Sequence, residues 1–316
     1  MKKLLITSRS FGKLSPEPMD MLIDAGFAVE NMGHDFDMER FETALPEYDA
    51  LIIGAHKLAP ELLERCPKLK IICKHGVGVD NIPLEAAAAR GIAVTNTPGT
   101  NSEAVADLAF GLMLDIARNI TKSACHLRSG NNVQDMGLDV HRKSLGLMGF
   151  GRIAQAVARR AAGFQMQVLA YDPYIQTVPE DLSFVKLASK ETVLRDSDFI
   201  SIHLPLIPET INFISKEEIE IMKPEAFLIN TARGGIVDED ALYEALVRNR
   251  LRAAALDVTK EEPTQPTNRL LTLENIVITN HIGMYSREAV TAVSRLCAEA
   301  VRDLFAGRQP KNLVRA

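Results

Sequence analysis

Residues 143–154, KSLGLMGFGRIA, decide the fold. Residues 145–148 form an apolar run of strand length. Gly149-Phe150-Gly151-Arg152-Ile153-Ala154 follows, and then Ala156, Val157, Ala158 and Ala161 recur with helical spacing. The order is strand, tight glycine turn, helix, as in a dinucleotide-binding βαβ unit. Gly149 permits the turn, and Gly151 lets a diphosphate approach the backbone. The third position, here Ala154, needs only a small side chain so that helix and strand pack closely. The first N–H groups and the positive dipole end of the helix face the diphosphate. The next apolar stretch, 167–171, ends in Asp172, about 20 positions on, where an acidic side chain takes the ribose hydroxyls. Alone, Asp172 reads as a turn residue before Pro173; with the glycines it points to a bound dinucleotide. Its charge repels a 2′-phosphate, and no Lys or Arg follows before Lys186, so NAD is expected rather than NADP.

Around this unit the alternation of strand and helix extends in both directions. Toward the N-terminus, strands are expected at 4–8, 28–32, 50–53, 69–73 and 92–95, with helices at 18–26, 60–65 and 83–90. Residues 96–99, Asn-Thr-Pro-Gly, read as a linker and hinge. A helix over 105–118 follows, with Thr100 and Glu103 at capping-box spacing. It is apolar on more than one face and must be buried, between domains or in a subunit interface. Residues 129–142 read as a polar loop. Beyond Asp172, strands are expected at 197–204, 225–230, 251–258 and 275–279, with helices at 238–248 and 288–304. The tail from 308 reads as peripheral. The pattern is that of an α/β protein with doubly wound parallel sheets.

A length of 316 residues suits two domains, and 47% hydrophobic against 24% charged residues suits sizeable cores. The net charge of −5 with no basic run argues against a nucleic-acid partner. Cys66, Cys73, Cys125 and Cys297 are scattered, without disulfide or zinc spacing, and fit a reducing cytoplasm. No metal site is expected. The apolar run after Lys2 and Lys3 is too short for a signal peptide, and no run reaches membrane-spanning length.

Three polar features follow strands of the glycine-turn half: Arg233, the pair Glu261-Glu262, and His281. The carboxyl edge of an open α/β sheet is where ligands bind, so residues distant in sequence converge there. Interconverting an alcohol and a carbonyl on a nicotinamide needs few protein groups. An arginine holds a carboxylate and polarises the carbonyl, a histidine exchanges the hydroxyl proton, and a carboxylate fixes the histidine's tautomer. Taken singly, each reads as a surface or structural residue; their shared edge reverses that reading in favour of chemistry. In the first half, Lys74-His75-Gly76-Val77-Gly78-Val79-Asp80-Asn81 follows a strand, and on its own residues it reads as an ordinary βα turn.

The chain resembles the D-isomer-specific 2-hydroxyacid dehydrogenase family, nearest its phosphoglycerate dehydrogenase-like branch. The resemblance covers almost the whole chain. It rests on HGVGVDNI, NTPGTNSEAVADLAFGLML, LGLMGFGRIAQAVA with YDP, HLPLIPET, MKPEAFLINTARGGIVDEDAL, AALDVTKEEP and HIGMYSREA. It implies a Rossmann cofactor domain, residues 97–283, inserted in a flavodoxin-like substrate domain made of 1–96 and 284–316. The implied activity is NAD-dependent oxidation of a D-2-hydroxy acid, with D-3-phosphoglycerate expected. Glycerate, glyoxylate or hydroxypyruvate, all unphosphorylated, are the alternative, and an NAD(H)-sensing corepressor-like protein is the rival of another class. Carried over residue by residue, the family's catalytic arginine, glutamate and histidine fall on Arg233, Glu262 and His281. Cofactor contacts fall on Gly149, Gly151, Arg152, Ile153, Asp172, His203, Pro205, Thr231, Ala232 and Asp257, with Arg233, His281 and Gly283 on the same side. Gly76-Val77-Gly78 matches the carboxylate-binding loop, with Arg233 and His281 also facing substrate. The helix starting near Asn101 matches the homodimer-forming helix.

A phosphate on the substrate could be met by His56, Lys57, Lys74 and His75, which follow strands of the substrate domain. The chain departs from the family at Ala154, at Met284-Tyr285 where a Gly-Gly or Gly-Ala type pair is often seen, and in having no tryptophan. Met284-Tyr285 is expected to reshape the nicotinamide edge or the substrate pocket. The chain ends without room for the C-terminal regulatory domain of longer relatives, so serine feedback of that kind is not expected.

Overall fold

A computed structural model describes residues 1–314 and divides the chain into two compact units. The first comprises Met1–Asn101 and the chain from Met284; the second is Ser102–Gly283. The sequence boundary at 96/97 moves to 101/102. Buried Thr97 donates its N–H to the Gly76 carbonyl (3.0 Å), which keeps this stretch with the first unit.

The first unit has five strands: β1 Lys2–Ile6, β2 Phe27–Asn31, β3 Ala50–Ile53, β4 Ile71–Lys74 and β5 Ala93–Thr95. All pair in parallel, in the order β2-β1-β3-β4-β5. Alternate side chains leave each face, so the strands read as continuous apolar runs because both faces are covered. Leu5, Leu51, Ile53 and Ile72 enter one core with Phe41 and Leu63. Leu4, Ile6, Ile52 and Ile71 enter the other, where the helix Arg287–Phe305 contributes Cys297, Ala298 and Val301.

The second unit has seven parallel strands: β6 Ser144–Met148, β7 Gln167–Tyr171, β8 Lys186–Leu187, β9 Phe199–Ile202, β10 Ala226–Asn230, β11 Leu251–Leu256 and β12 Ile276–Ile278. Their order, β12-β11-β10-β9-β6-β7-β8, reverses direction beside β6. That topological switch opens a crevice at the carboxyl ends of β6 and β9.

Two expectations change. The helix Ser102–Arg118 buries Ala106, Ala109, Phe110, Met113 and Ala117 in the core of its own unit, with Leu145, Phe150 and Ala154. Its wide apolar surface is thereby largely accounted for without a second subunit. The tail is not peripheral. Val314 donates its N–H to the Val94 carbonyl (2.8 Å), and Thr95 and Leu313 form an antiparallel bridge, so the tail covers the open edge of β5. Arg315 and Ala316 lie outside the described residues. All four cysteines are free, and among the described residues no helix is long and apolar enough to cross a membrane.

Candidate active site

At the end of β6 the chain turns through Gly149, whose φ is +88°. A Cβ there would lie 2.7 Å from the His203 carbonyl oxygen, so shape and conformation both demand glycine. Gly151 has open space where a Cβ would stand, and the helix Arg152–Gly163 begins next without a side-chain cap. Ala154 is fully buried against the sheet side of that helix. Asp172 follows β7. Its Oδ2 accepts from Phe150 N–H and its Oδ1 from Tyr174 N–H, both at 2.9 Å, which ties it to the glycine turn. His203 is pushed down to about 3 by burial and therefore stays neutral. Its Nε2 lies 2.9 Å from the Ser201 hydroxyl, and Pro205 beside it is exposed.

After β10 the chain runs through Thr231, Ala232 and Arg233. Asn230 fixes this turn: its Oδ1 accepts from Ala232 N–H (3.0 Å) and its Nδ2 donates to the Arg233 carbonyl (2.9 Å). Gly234 backs onto the neighbouring loop so closely that a Cβ would sit 1.9 Å from the Thr259 carbonyl oxygen. The Arg233 guanidinium donates to the Ala232 carbonyl (2.7 Å). The Thr231 hydroxyl is buried and has no hydrogen-bond partner among the described residues.

After β12 the turn at 279–283 is built on Asp257, 1% exposed at the end of β11. Its Oδ1 accepts from the Thr279 hydroxyl (2.6 Å) and Ile282 N–H (2.8 Å), and its Oδ2 accepts from Gly283 N–H (2.8 Å). This cage holds His281 in a left-handed conformation, φ +50°, which is uncommon for a residue with a Cβ. The imidazole is exposed, and its Nδ1 lies 2.8 Å from Glu262 Oε2. The two residues come from different loops, and of the acidic pair it is Glu262 that reaches the ring. Thus Arg233, Glu262 and His281 all follow adjacent strands, β10 to β12, at one sheet edge.

In the first unit, Gly76 has φ +148° and its N–H donates to the Lys74 carbonyl (2.9 Å). The Met284 sulfur lies 3.9 Å from where a Gly76 Cβ would be, so this departure from the family adjoins the 76–78 loop. The cations considered for a phosphate are mostly committed elsewhere. Lys74 Nζ donates to the Gly54 carbonyl and to Asn81 Oδ1, both at 2.8 Å. His75 is buried, pushed down to about 3 by desolvation and by nearby Lys74, and lies between the Ser8 and Ser294 hydroxyls (3.0 and 2.8 Å). His56, stacked on Phe36, is pushed down to about 4 by the same two causes. Asn81 escapes a reading of the sequence, yet it ties the ends of β3 and β4 through the Gly54 and His56 carbonyls; its place just after the GVGVD turn is the available signal. Among the described residues no cluster of three or more His, Cys, Asp or Glu could hold a metal ion.

The chain is similar to known proteins. Residues 110–283 match the model of the D-isomer specific 2-hydroxyacid dehydrogenase NAD binding domain. The chain is 41% identical to a D-3-phosphoglycerate dehydrogenase of Methanocaldococcus jannaschii over 99% of its own length, but spans only 59% of that protein. It is 42% identical to a glyoxylate reductase of Thermococcus litoralis, covering 85% of this chain and 84% of that one. The crystal structure of the TT0316 protein from Thermus thermophilus superposes with a TM-score of 0.91 at 37% identity, covering 99% and 100% of the two chains.

Proposed function

The chain belongs to the D-isomer specific 2-hydroxyacid dehydrogenase family, and we propose that it interconverts a D-2-hydroxy acid and its 2-keto acid with NAD as redox partner. The observation that carries this reading is the 2.8 Å contact between His281 Nδ1 and Glu262 Oε2 at the sheet edge that also presents Arg233. D-3-phosphoglycerate is the proposed substrate. The engagement of Lys74 and the neutrality of His56 and His75 favour the second reading, an unphosphorylated acid such as glycerate, unless another cation meets the phosphate.

The second unit suits NAD. Gly151 leaves room above the first N–H groups of the helix at Arg152 and Ile153, where a diphosphate would lie. Asp172 keeps lone pairs for the ribose hydroxyls, and the unpartnered Thr231 hydroxyl faces unmet hydrogen-bonding demand. Ala232, His203, Pro205, Asp257 and Gly283 complete the proposed lining. Bound NAD supplies the two-electron acceptor for the C–H bond of the alcohol carbon.

The chain's own groups handle the proton and the charge. Glu262 accepts from Nδ1, so Nδ1 carries hydrogen and Nε2 presents its lone pair. In the oxidising direction Nε2 takes the substrate hydroxyl proton; in the reducing direction it returns that proton to the same oxygen. The Glu262 carboxylate, 2.8 Å from Nδ1, balances the charge the ring gains. Arg233 holds the substrate's charged end and polarises the carbonyl. The 76–78 loop is the carboxylate-binding element we assign to the first unit. We also infer a homodimer. The helix Ser102–Arg118 would be flanked in that interface by Ile120, Leu127 and Met136, which are 57%, 70% and 84% exposed.

A panel of D-2-hydroxy and 2-keto acids, with and without phosphate, tests the reading in an NADH absorbance assay. His281→Ala should lower kcat by about 100-fold or more and leave NADH affinity within a few-fold. Wild-type turnover in that variant would remove the proton-transfer role. Silence of the wild type across the panel, with NADH still bound, would favour a nucleotide sensor.

A further inference from the structure

We propose that Arg9 is a specificity-determining residue that binds a phosphoryl group carried by the substrate; the proposal rests on the dehydrogenase reading above. The residues involved all belong to the first unit. Its strand order, β2-β1-β3-β4-β5, places the topological switch between β1 and β3. Ligands of such sheets bind outside the carboxyl ends of the strands at that switch. Arg9 stands three residues past the end of β1. Strand register carries the loops after β1, β3 and β4 to one edge: Thr7 N–H donates to the Ile52 carbonyl (2.9 Å), and His75 N–H donates to the Ile53 carbonyl (3.0 Å). The loop after β4 is the 76–78 turn.

The backbone beneath Arg9 is held from three sides. From the loop after β2, a Cβ at Gly33 would lie 2.4 Å from the Ser8 carbonyl oxygen and 3.0 Å from the Arg9 Cα, so only glycine fits. From the loop after β3, Gly54 packs against Thr7 and Ser8, with its Cβ position 3.2 Å from the Thr7 oxygen. Just past β4, His75 Nδ1 meets the Ser8 hydroxyl at 3.0 Å, and its ring makes an edge-type contact with Phe11, centroids 5.7 Å apart. Ser8, Ser10 and Phe11 are buried; Arg9 between them is exposed and joins no ion pair or hydrogen bond with another described residue. A surface arginine on a free loop would need no such support. A fixed backbone under an uncommitted guanidinium is the preorganisation that anion recognition requires.

The guanidinium offers a planar fork of donors that matches a phosphate bidentately. The neighbouring candidates lack that capacity: His56 and His75 are neutral, and the Lys74 ammonium already donates to Gly54 and Asn81. Of the cations weighed at this edge, Arg9 and Lys57 are the exposed ones; Lys57 also sits on a held backbone, since Asn81 donates to the His56 carbonyl (2.7 Å) and accepts from Leu58 N–H (3.0 Å), but only Arg9 carries the planar fork of donors.

The test compares phosphohydroxypyruvate with hydroxypyruvate, using NADH and the full chain. Wild type should prefer the phosphorylated acid by tenfold or more in kcat/KM. Arg9→Gln should lower kcat/KM for the phosphorylated acid at least tenfold, through KM rather than kcat, and change the other acid less than twofold. Arg9→Lys should recover part of the loss. Equal losses on both acids, or an unchanged ratio in Arg9→Gln, overturn the proposal while the dehydrogenase reading stands. So does a wild type indifferent to the phosphate. A wild type that preferred a dicarboxylic keto acid, with that preference lost in Arg9→Gln, would reassign Arg9 to a second carboxylate and overturn the phosphoryl assignment. A wild type that reduced no keto acid would sink the dehydrogenase reading itself and this one with it.

Discussion

At Asp172 one carboxylate serves two structures. Its oxygens accept from Phe150 and Tyr174 N–H, which fixes the glycine turn against the end of β7. Each oxygen keeps a second lone pair, and a ribose diol would use them. The same charge opposes a 2′-phosphate. Asp172→Ala should therefore raise KM for NAD by about tenfold and narrow the preference for NAD over NADP, since a hydrogen bond to a charged group is worth roughly 1.5–3 kcal/mol. Steady-state kinetics with both cofactors check this, and an unchanged NAD/NADP ratio would place the ribose elsewhere. Asp172 is legible in the sequence because the glycines near it have few substitutes: Gly149 combines a positive φ with a carbonyl 2.7 Å from its Cβ position. Asp257 is legible only through family resemblance. Its partners are Thr279, Ile282 and Gly283, and no local spacing rule connects an aspartate to a turn one strand further on.

Among the elements, the long helices with a buried stripe and the strands with an uninterrupted apolar run are readable in the sequence, and several short or solvent-facing ones are not. The helix Ile120–Arg128 is easily missed there: Ile120, Ala124 and Leu127 have helical spacing, but over a short stretch that is otherwise polar, and none of its residues is buried. So is β8, which has two residues and pairs only through Leu169 and Ala170. The helix Met38–Ala44 is likewise short and buries only Phe41. The tail misleads because an isolated segment shows nothing of the strand edge it will cover. The turn at 279–283 offers an element-scale prediction. In Asp257→Asn the amide oxygen still accepts, but the NH2 group facing Gly283 N–H cannot. One buried N–H loses its partner, at a cost of about 1–3 kcal/mol. His281, whose φ of +50° depends on this cage, should lose its register with Glu262. Thermal unfolding should shift to lower temperature and kcat should fall together. A fall in kcat with unchanged stability would mean that Asp257 acts on cofactor or substrate directly.

Across the whole molecule, both units hold neutral histidines, His75 buried and His56 and His203 half-buried, and this gives stability a definite pH dependence. His75 and His56 in the first unit and His203 in the second are all pushed down, to about 3, 4 and 3, with burial the largest cause in each. Unfolded, each returns to the ordinary value of 6.5. Between the two values the unfolded chain binds protons that the folded chain does not, so stability rises with pH through this window. The contribution is complete above 6.5 and is lost as pH falls toward 3–4. For His75, which is 4% exposed, the loss between pH 7 and pH 5 is about 2 kcal/mol, approaching roughly 1.4 kcal/mol per pH unit near pH 5. Urea unfolding at pH 7, 6 and 5 should show the midpoint falling with acid, with an uptake of protons on unfolding. His75→Gln keeps polar atoms near Ser8 and Ser294 but cannot titrate. It should be less stable at pH 7, and its stability should fall less steeply between pH 7 and pH 5, by about one proton's worth of slope. A variant with the wild-type slope would mean that His75 is protonated in the folded chain, and that the Ser8–His75–Ser294 link beneath Arg9 carries a charge.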